Sequence, residues 1–468
     1  MMSTGSRMSE SKFPTVSELG DLLKVSLQLA FGQLGVIAIG FTDALMLGRL
    51  GPDALGAAGL ALSIYNILET MGAGILFPMV VLASRARGAG RLRSIPGLIR
   101  QGLWMAGMLS VPTCVILWNL ETILLMTGQI PALARMAGDF MDYFLWTAFP
   151  VFAFTVFMLA FIAMGRVGTM VVVIWLAAGL NVVLDYALIF GNLGFPAMGI
   201  AGAGLASVIV YGVGYVSVFT LLAFHRLFLK GMSVFRRAWR PNWTTLGQFP
   251  RLGWPRSLQV LMASGLFSVI SLLVGRLGVQ AIATHTIAFE ISMVVGLGAM
   301  AIARTIASRM GIAGTQGDRA GIWRLTNGGL VLFFLFMLVP VVVLGFFPSW
   351  AVMLFVGTGQ KAQALLPMAT PVVALAALFI LANGLRIIIN HALNGLADMK
   401  IPALIAAVSY WGIALPVGVI LGFVMGLGVA GLWWGLIIGM GVACVAYLTR
   451  FRWVVHNARF PARGTELP

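Results

Sequence analysis

Four acidic side chains lie well inside long apolar runs of this sequence: Asp43, Glu69, Asp185 and Glu290. The chain has only 14 acidic residues, and the others fall in polar stretches, near run ends or in the tails. A carboxylate at the centre of a membrane helix costs about 2.5–3.5 kcal/mol on insertion scales, so such groups are kept for function or for a partner in a polar interior. Asp43 stands five residues before Gly48, and Asp185 six before Gly191. With both runs helical to those glycines, a rise of about 1.5 Å per residue places the two acids roughly 8–9 Å below the helix ends, at one depth. Asn181 precedes Asp185 by four residues and shares its helix face. Two carboxylates and an amide oxygen suit a hard cation such as Na+. Two facing carboxylates also suit a shared, exchangeable proton. The plainer reading is a structural polar contact between helices.

Other polar groups in apolar runs carry weaker signals. Arg386 is the single basic residue deep in a run, and Glu290 lies at a compatible depth in the same half. A buried cation is expected to find a carboxylate, which predicts a Glu290–Arg386 pair. Glu69 is a candidate for the substrate pathway, where it would attract cations; a structural hydrogen bond is the alternative. His285 and His391 read as satisfied polar contacts. Cys114 and Cys444 read as buried free thiols, with no metal-binding spacing. The 26 Met and 13 Trp residues suit an adaptable cavity, though most of them pack or face lipid.

The elements that must position these groups follow from composition. Of 468 residues, 60% are hydrophobic and 9% charged. Soluble domains carry roughly 25% charged residues, so the bilayer is the solvent for most of this chain. Runs of about 20 apolar residues are read as spanning helices. Twelve are expected: 25–48, 56–82, 98–119, 140–163, 169–191, 200–225, 252–275, 281–306, 325–347, 369–395, 401–423 and 427–449. They are too long for barrel strands and do not alternate, so the class is all-α. Pro78, Pro112, Pro150, Pro340 and Pro416 fall inside runs, where they allow kinks. A cleavable signal peptide is not expected; the first span targets the chain.

The net charge is +16, and its distribution speaks for topology rather than nucleic acid. Even-numbered connections and the two tails hold most of the basic residues, from Arg85–Arg100 through Arg226–Arg256 to Lys400 and Arg450–Arg463. The opposite side holds only Arg49, Arg135, Arg276 and Lys361. Both termini are therefore expected in the cytoplasm. The polar stretch 226–251 divides the chain near its middle, and the halves repeat. GRLGPDALGAAGLALSI (48–64) aligns with GRLGVQAIATHTIAFEI (275–291), and GIAG (199–202) with GVAG (428–431). The expected organisation is a tail (1–24), an N-lobe (25–225), a loop (226–251), a C-lobe (252–449) and a second tail (450–468). Parallel halves of this kind are a transporter architecture with a pathway between them. No phosphate-binding Gly-Lys-Ser/Thr loop, metalloprotease His-Glu-x-x-His or serine nucleophile elbow occurs, so the expected energy source is an ion gradient or a partner rather than ATP hydrolysis by this chain.

Four stretches resemble the MATE (multidrug and toxic compound extrusion) family, in particular its bacterial NorM-like branch. They are TDALMLGRLG (42–51), NVVLDYALIFGNLGFPAMGIAGAGLA (181–206), THTIAFEI (284–291) and NGLADMKIPALIAAVSYWGIALPVG (394–418). The resemblance implies two six-helix lobes forming a V, and antiport of H+ or Na+ against organic cations in a bacterial inner membrane. No cofactor or ATPase domain is implied, and a monomer is expected. Asp43, Asn181 and Asp185 match an N-lobe cation or proton site, which Ser207 can join. The branch's C-lobe acids match Ala263 and Asn383 here, so that site lacks them; Glu290, Asn383 and Arg386 make up a candidate C-lobe polar site instead. This departure favours proton coupling through the N-lobe. A flippase for a lipid-linked saccharide is the competing function, but it would call for a cationic cavity.

Overall fold

A computed structural model describes residues 13–224, 240–357 and 359–457. Arg226, Lys230, Arg236 and Arg237 of the central basic stretch lie outside the described residues, as do Arg7, Lys12, Arg459 and Arg463 of the tails and the side chain of Lys361. No strand occurs among the described residues. Twelve helices are long and apolar enough to cross a membrane. They are α1 Val16–Leu50, α2 Pro52–Gly88, α3 Leu92–Trp118, α4 Pro131–Met164, α5 Val167–Phe190 and α6 Ile200–Leu222. In the second half come α7 Trp243–Gly275, α8 Val279–Thr315, α9 Arg319–Phe346, α10 Leu365–Gly395, α11 Lys400–Val424 and α12 Gly428–Asn457.

Each expected run is a helix, and several start earlier than the apolar run does. Hydropathy reports the part of a helix solvated by lipid, whereas backbone hydrogen bonding carries the helix on into polar surroundings. The first part of α4 is an amphipathic segment that buries Ala134, Ala137, Phe140, Met141 and Phe144. α9 begins at an N-cap, where the Asp318 side chain accepts from Gly321 N at 2.8 Å. Within α2 the helix is interrupted at Phe77, because Pro78 has no N–H to continue the ladder. α11 is π-helical over Val408–Ala414 and Ile420–Val424.

The internal repeat is written into the backbone. Gly51 precedes α2 with φ 146°, and Gly278 precedes α8 with φ 107°. Gly199 precedes α6 with φ 58°, and Gly428 opens α12 with φ 57°. Positive φ is strained for any residue with a Cβ, so glycine is required at both pairs. These are the glycines that the sequence alignment of the halves pairs.

The chain forms two compact units. The first runs Phe31–Ser257, and the second combines the chain before Phe31 with the chain after Ser257. The boundary thus falls inside α1 and α7 rather than in a tail and a loop. The start of α1 belongs to the second unit: Leu22 is 1% exposed in its core, and Ser26 Oγ donates to Thr305 Oγ1 at 3.1 Å. From Phe31 onward α1 packs in the first unit, where Phe31 stacks on Trp175 at 5.0 Å between centroids. α7 changes over at Ser257, whose Oγ donates to Met71 O at 2.7 Å, while Gln259 Nε2 donates to Met399 O at 3.0 Å. Small residues bring helices together: Gly435 of α12 packs on Gly418 of α11, and Gly439 on Ala414, at distances that leave no room for a Cβ.

Candidate functional site

In the first unit α1 and α5 bring Asp43, Asn181 and Asp185 together. Asn181 Nδ2 donates to Asp43 Oδ1 at 2.9 Å. Asp43 is half-buried, whereas Asn181 and Asp185 are both 0% exposed. Asp185 and Asp43 interact electrostatically through their carboxyls. No N–H or hydroxyl donates to either Asp185 oxygen, which leaves Asp43's own carboxyl proton as the donor within reach, and Asn181 Oδ1 is buried without a donor. A buried carboxyl with so few donors is expensive as an anion, and a proton or a cation at that point would relieve the cost. Depth and the four-residue spacing of Asn181 and Asp185 predict this meeting, since both side chains leave one face of α5.

Ser207 on α6 is 1% exposed but hydrogen-bonds to none of the three. Glu69 on α2 is half-buried in the same unit. A residue that the sequence left unmarked lies in the electrostatic range of both Asp43 and Glu69: Tyr211, one turn beyond Ser207. Tyr65, one turn before Glu69, interacts with Glu69 and Tyr211, and Thr147 Oγ1 donates to its hydroxyl at 3.2 Å. The first unit therefore holds three acids with two tyrosines in their electrostatic range. A tyrosine in an apolar run costs little to insert, so only its turn spacing from Ser207 could have flagged Tyr211.

The second unit is arranged differently. Arg386 on α10 is 8% exposed, and its Nε and Nη2 donate to Asn383 Oδ1 at 3.0 and 2.7 Å. Its Nη1 donates to the Tyr410 hydroxyl, and the guanidinium lies over the Tyr410 ring at 5.4 Å from the centroid. Glu290 is not part of this group. It is exposed on α8 and neither hydrogen-bonds nor pairs with Arg386. The buried face of α8 carries Thr284, His285, Ala288, Ile291 and Ser292, and Glu290 falls on the other face. The Glu290–Arg386 pair expected from depth is therefore not formed; equal depth does not fix helix rotation. Ala263 is a half-buried apolar residue packed against the core of this unit.

The histidines differ from each other. His391 Nδ1 lies 2.9 Å from Ile387 O, a satisfied local contact. His285 Nε2 lies 3.0 Å from Ser271 Oγ, while its Nδ1 has no partner. Cys114 and Cys444 are free and half-buried. Among the described residues, no cluster of three or more His, Cys, Asp or Glu could hold a metal ion.

Twelve membrane-length helices with ionisable groups buried among them define a polytopic membrane protein. The MatE family model matches residues 29–187 and 255–420, most of the chain, and the chain belongs to that family. A probable multidrug resistance protein NorM from Mesorhizobium japonicum is 31% identical over 93% of this chain and 93% of its own length. A protein of the same name from Brucella suis is 32% identical over 96% of this chain and 97% of its own. Among solved structures, a MATE protein in complex with MaL6 superposes with TM-score 0.83 at 19% identity, covering 97% of this chain and 99% of that one. An outward-facing multidrug resistance MATE family transporter gives TM-score 0.83 at 18% identity, over 98% and 99%. The fold is that of these transporters.

Proposed function

We propose that this chain is a secondary antiporter that exports amphipathic, cationic organic compounds in exchange for protons carried at Asp43, Asn181 and Asp185. The observation that supports this reading is the carboxyl pair in α1 and α5, where Asn181 serves Asp43 and leaves Asp185 no donor but a proton shared with Asp43. With a proton the pair holds one negative charge fewer and tolerates its dry surroundings. Without it the pair is an expensive anion that a cationic group would stabilise. Proton and cationic cargo thus compete for one charge, and such negative coupling between two ligands is what antiport requires. Glu69, half-buried in the same unit, adds to the negative field that draws cations. The names of the NorM relatives support multidrug export.

Na+ is the second reading, because the same oxygens suit a hard cation. Asn181 Oδ1 and the Asp185 oxygens would be its ligands, so the geometry alone leaves both ions open and the gradient decides. The asymmetry of basic residues supports both termini in the cytoplasm, and the bacterial NorM relatives support an inner-membrane setting; a monomer is what the family resemblance implies. Proteoliposomes holding ethidium separate the two ions, with a proton or a Na+ gradient imposed alone. Export driven by the proton gradient is expected. Export driven by Na+ alone at equal pH would overturn proton coupling.

A further inference from the structure

Arg386 is a buried charge with no opposite charge beside it. It makes no ion pair among the described residues, and Glu290 stays away from it. Every partner it has is neutral: Asn383 Oδ1 takes two N–H groups and the Tyr410 hydroxyl a third. A guanidinium carries five N–H donors, so two remain, and it cannot shed its proton to escape the cost of burial.

We propose that Arg386, Asn383 and Tyr410 form a binding site for a monoanion, taken by the carboxylate of an exported zwitterion or by chloride. The donor set fits such a ligand. The Tyr410 hydroxyl accepts from Arg386, so its own proton is free to donate. Asn383 likewise gives its oxygen to Arg386 and keeps its amide N–H groups for a ligand. Asn383 is half-buried rather than sealed, which leaves a side from which a ligand arrives. One fixed positive charge balances a single negative one, so a carboxylate or halide is matched and a dianion is not. Tyr410 sits in the π-helical stretch Val408–Ala414, and π segments recur at functional positions. The choice of an organic carboxylate as cargo rests on the export reading above; the anion site itself does not.

The test uses the full-length purified chain, with a fluorescent rhodamine zwitterion and its methyl ester as probes. Fluorescence anisotropy gives both dissociation constants in gluconate and in chloride buffers. In gluconate the zwitterion is expected to bind about tenfold more tightly than the ester, and chloride is expected to erode that preference. Arg386→Gln is expected to bring the zwitterion to the affinity of the ester and leave the ester unchanged. Asn383→Asp keeps Arg386 and supplies an internal anion, so it is expected to abolish both the preference and the chloride response even where Arg386→Gln does not fold. A chloride-dependent rise in melting temperature that Asn383→Asp removes, without any preference for the zwitterion, assigns the site to the inorganic anion. Equal binding of the two probes with no chloride response, or a preference that survives both substitutions, overturns the proposal. Ester export from proteoliposomes is measured in parallel, and its absence counts against the export reading alone.

Discussion

Each unit holds one buried charged side chain among the described residues, Asp185 in the first and Arg386 in the second, and their signs are opposite. The repeat makes the contrast sharper. It places Tyr410 opposite Asn181, Ala414 opposite Asp185 and Ile270 opposite Asp43. At the same step of the fold, Asn181 donates to a carboxylate and Tyr410 accepts from a guanidinium. The helices differ as well: α5 is a regular α-helix from Val167 to Phe190, whereas α11 widens to π geometry around Tyr410. Duplication has preserved the glycine turns that set helix entry, and the polar chemistry has diverged. In the proposed function the first unit exchanges a positive charge, whereas the second holds one permanently at Arg386.

The contrast breaks first if the carboxyls of the first unit can be dispensed with. Asp43→Asn and Asp185→Asn keep size and remove the exchangeable charge. Each is expected to lower gradient-driven ethidium export from proteoliposomes by at least about 10²-fold, the scale on which positioned proton-transfer groups act. Size-exclusion and melting profiles should stay those of the parent chain. Normal export in both variants would remove the first unit from the coupling mechanism. A smaller loss is expected for Tyr211→Phe, which keeps the ring and removes the hydroxyl that interacts with Asp43 and Glu69. Initial export rates should fall by about threefold to tenfold, the scale of about 0.5–1.5 kcal/mol for one polar group removed. An unchanged rate would separate Glu69 from the coupling pair and leave the pair acting alone.

What the sequence made legible depends on whether the signal was one of composition, depth or rotation. Twelve spans could be read because lipid demands long apolar runs with charges only between them. The first-unit site could be read because Asn181 and Asp185 sit on one stretch of helix, where spacing fixes face as well as depth. Asp43 needed only a common depth, and it met them. Glu290 and Arg386 also share a depth, yet the rotation of α8 turns Glu290 away. Rotation is set by packing, and packing in lipid follows small residues and polar contacts that hydropathy does not weigh. The same limit hid Tyr211, as well as the division of α1 at Ala30, since that helix is apolar on both sides of the change.

Ser207→Ala tests how far the first-unit site extends. The family resemblance places Ser207 in the cation site, but its hydroxyl bonds to none of Asp43, Asn181 and Asp185. Proton-driven export should change by no more than about twofold, the scale of a surface or uninvolved substitution. A selective, severalfold loss of Na+-driven export would make Ser207 a ligand and would move the site from proton carrier to cation cage.

The smallest effect is expected where the sequence predicted a large one. Had Glu290 neutralised Arg386, removing either partner would strand a buried charge, at a cost of about 3–5 kcal/mol. In the structure Glu290 shares the exposed face of α8 with Ile282, Met293 and Val294, so Glu290→Gln should change unfolding free energy by no more than about 0.5 kcal/mol. The decisive measurement is a double-mutant cycle of Glu290→Gln with Arg386→Gln, read by thermal unfolding of the purified chain. Groups without contact add, and the expected coupling lies within about 0.3–0.5 kcal/mol of zero. A coupling well above about 1 kcal/mol would tie the two charges together. The second unit would then neutralise its own cation and have no call for an external anion, and the difference in sign between the two units would no longer be one of function.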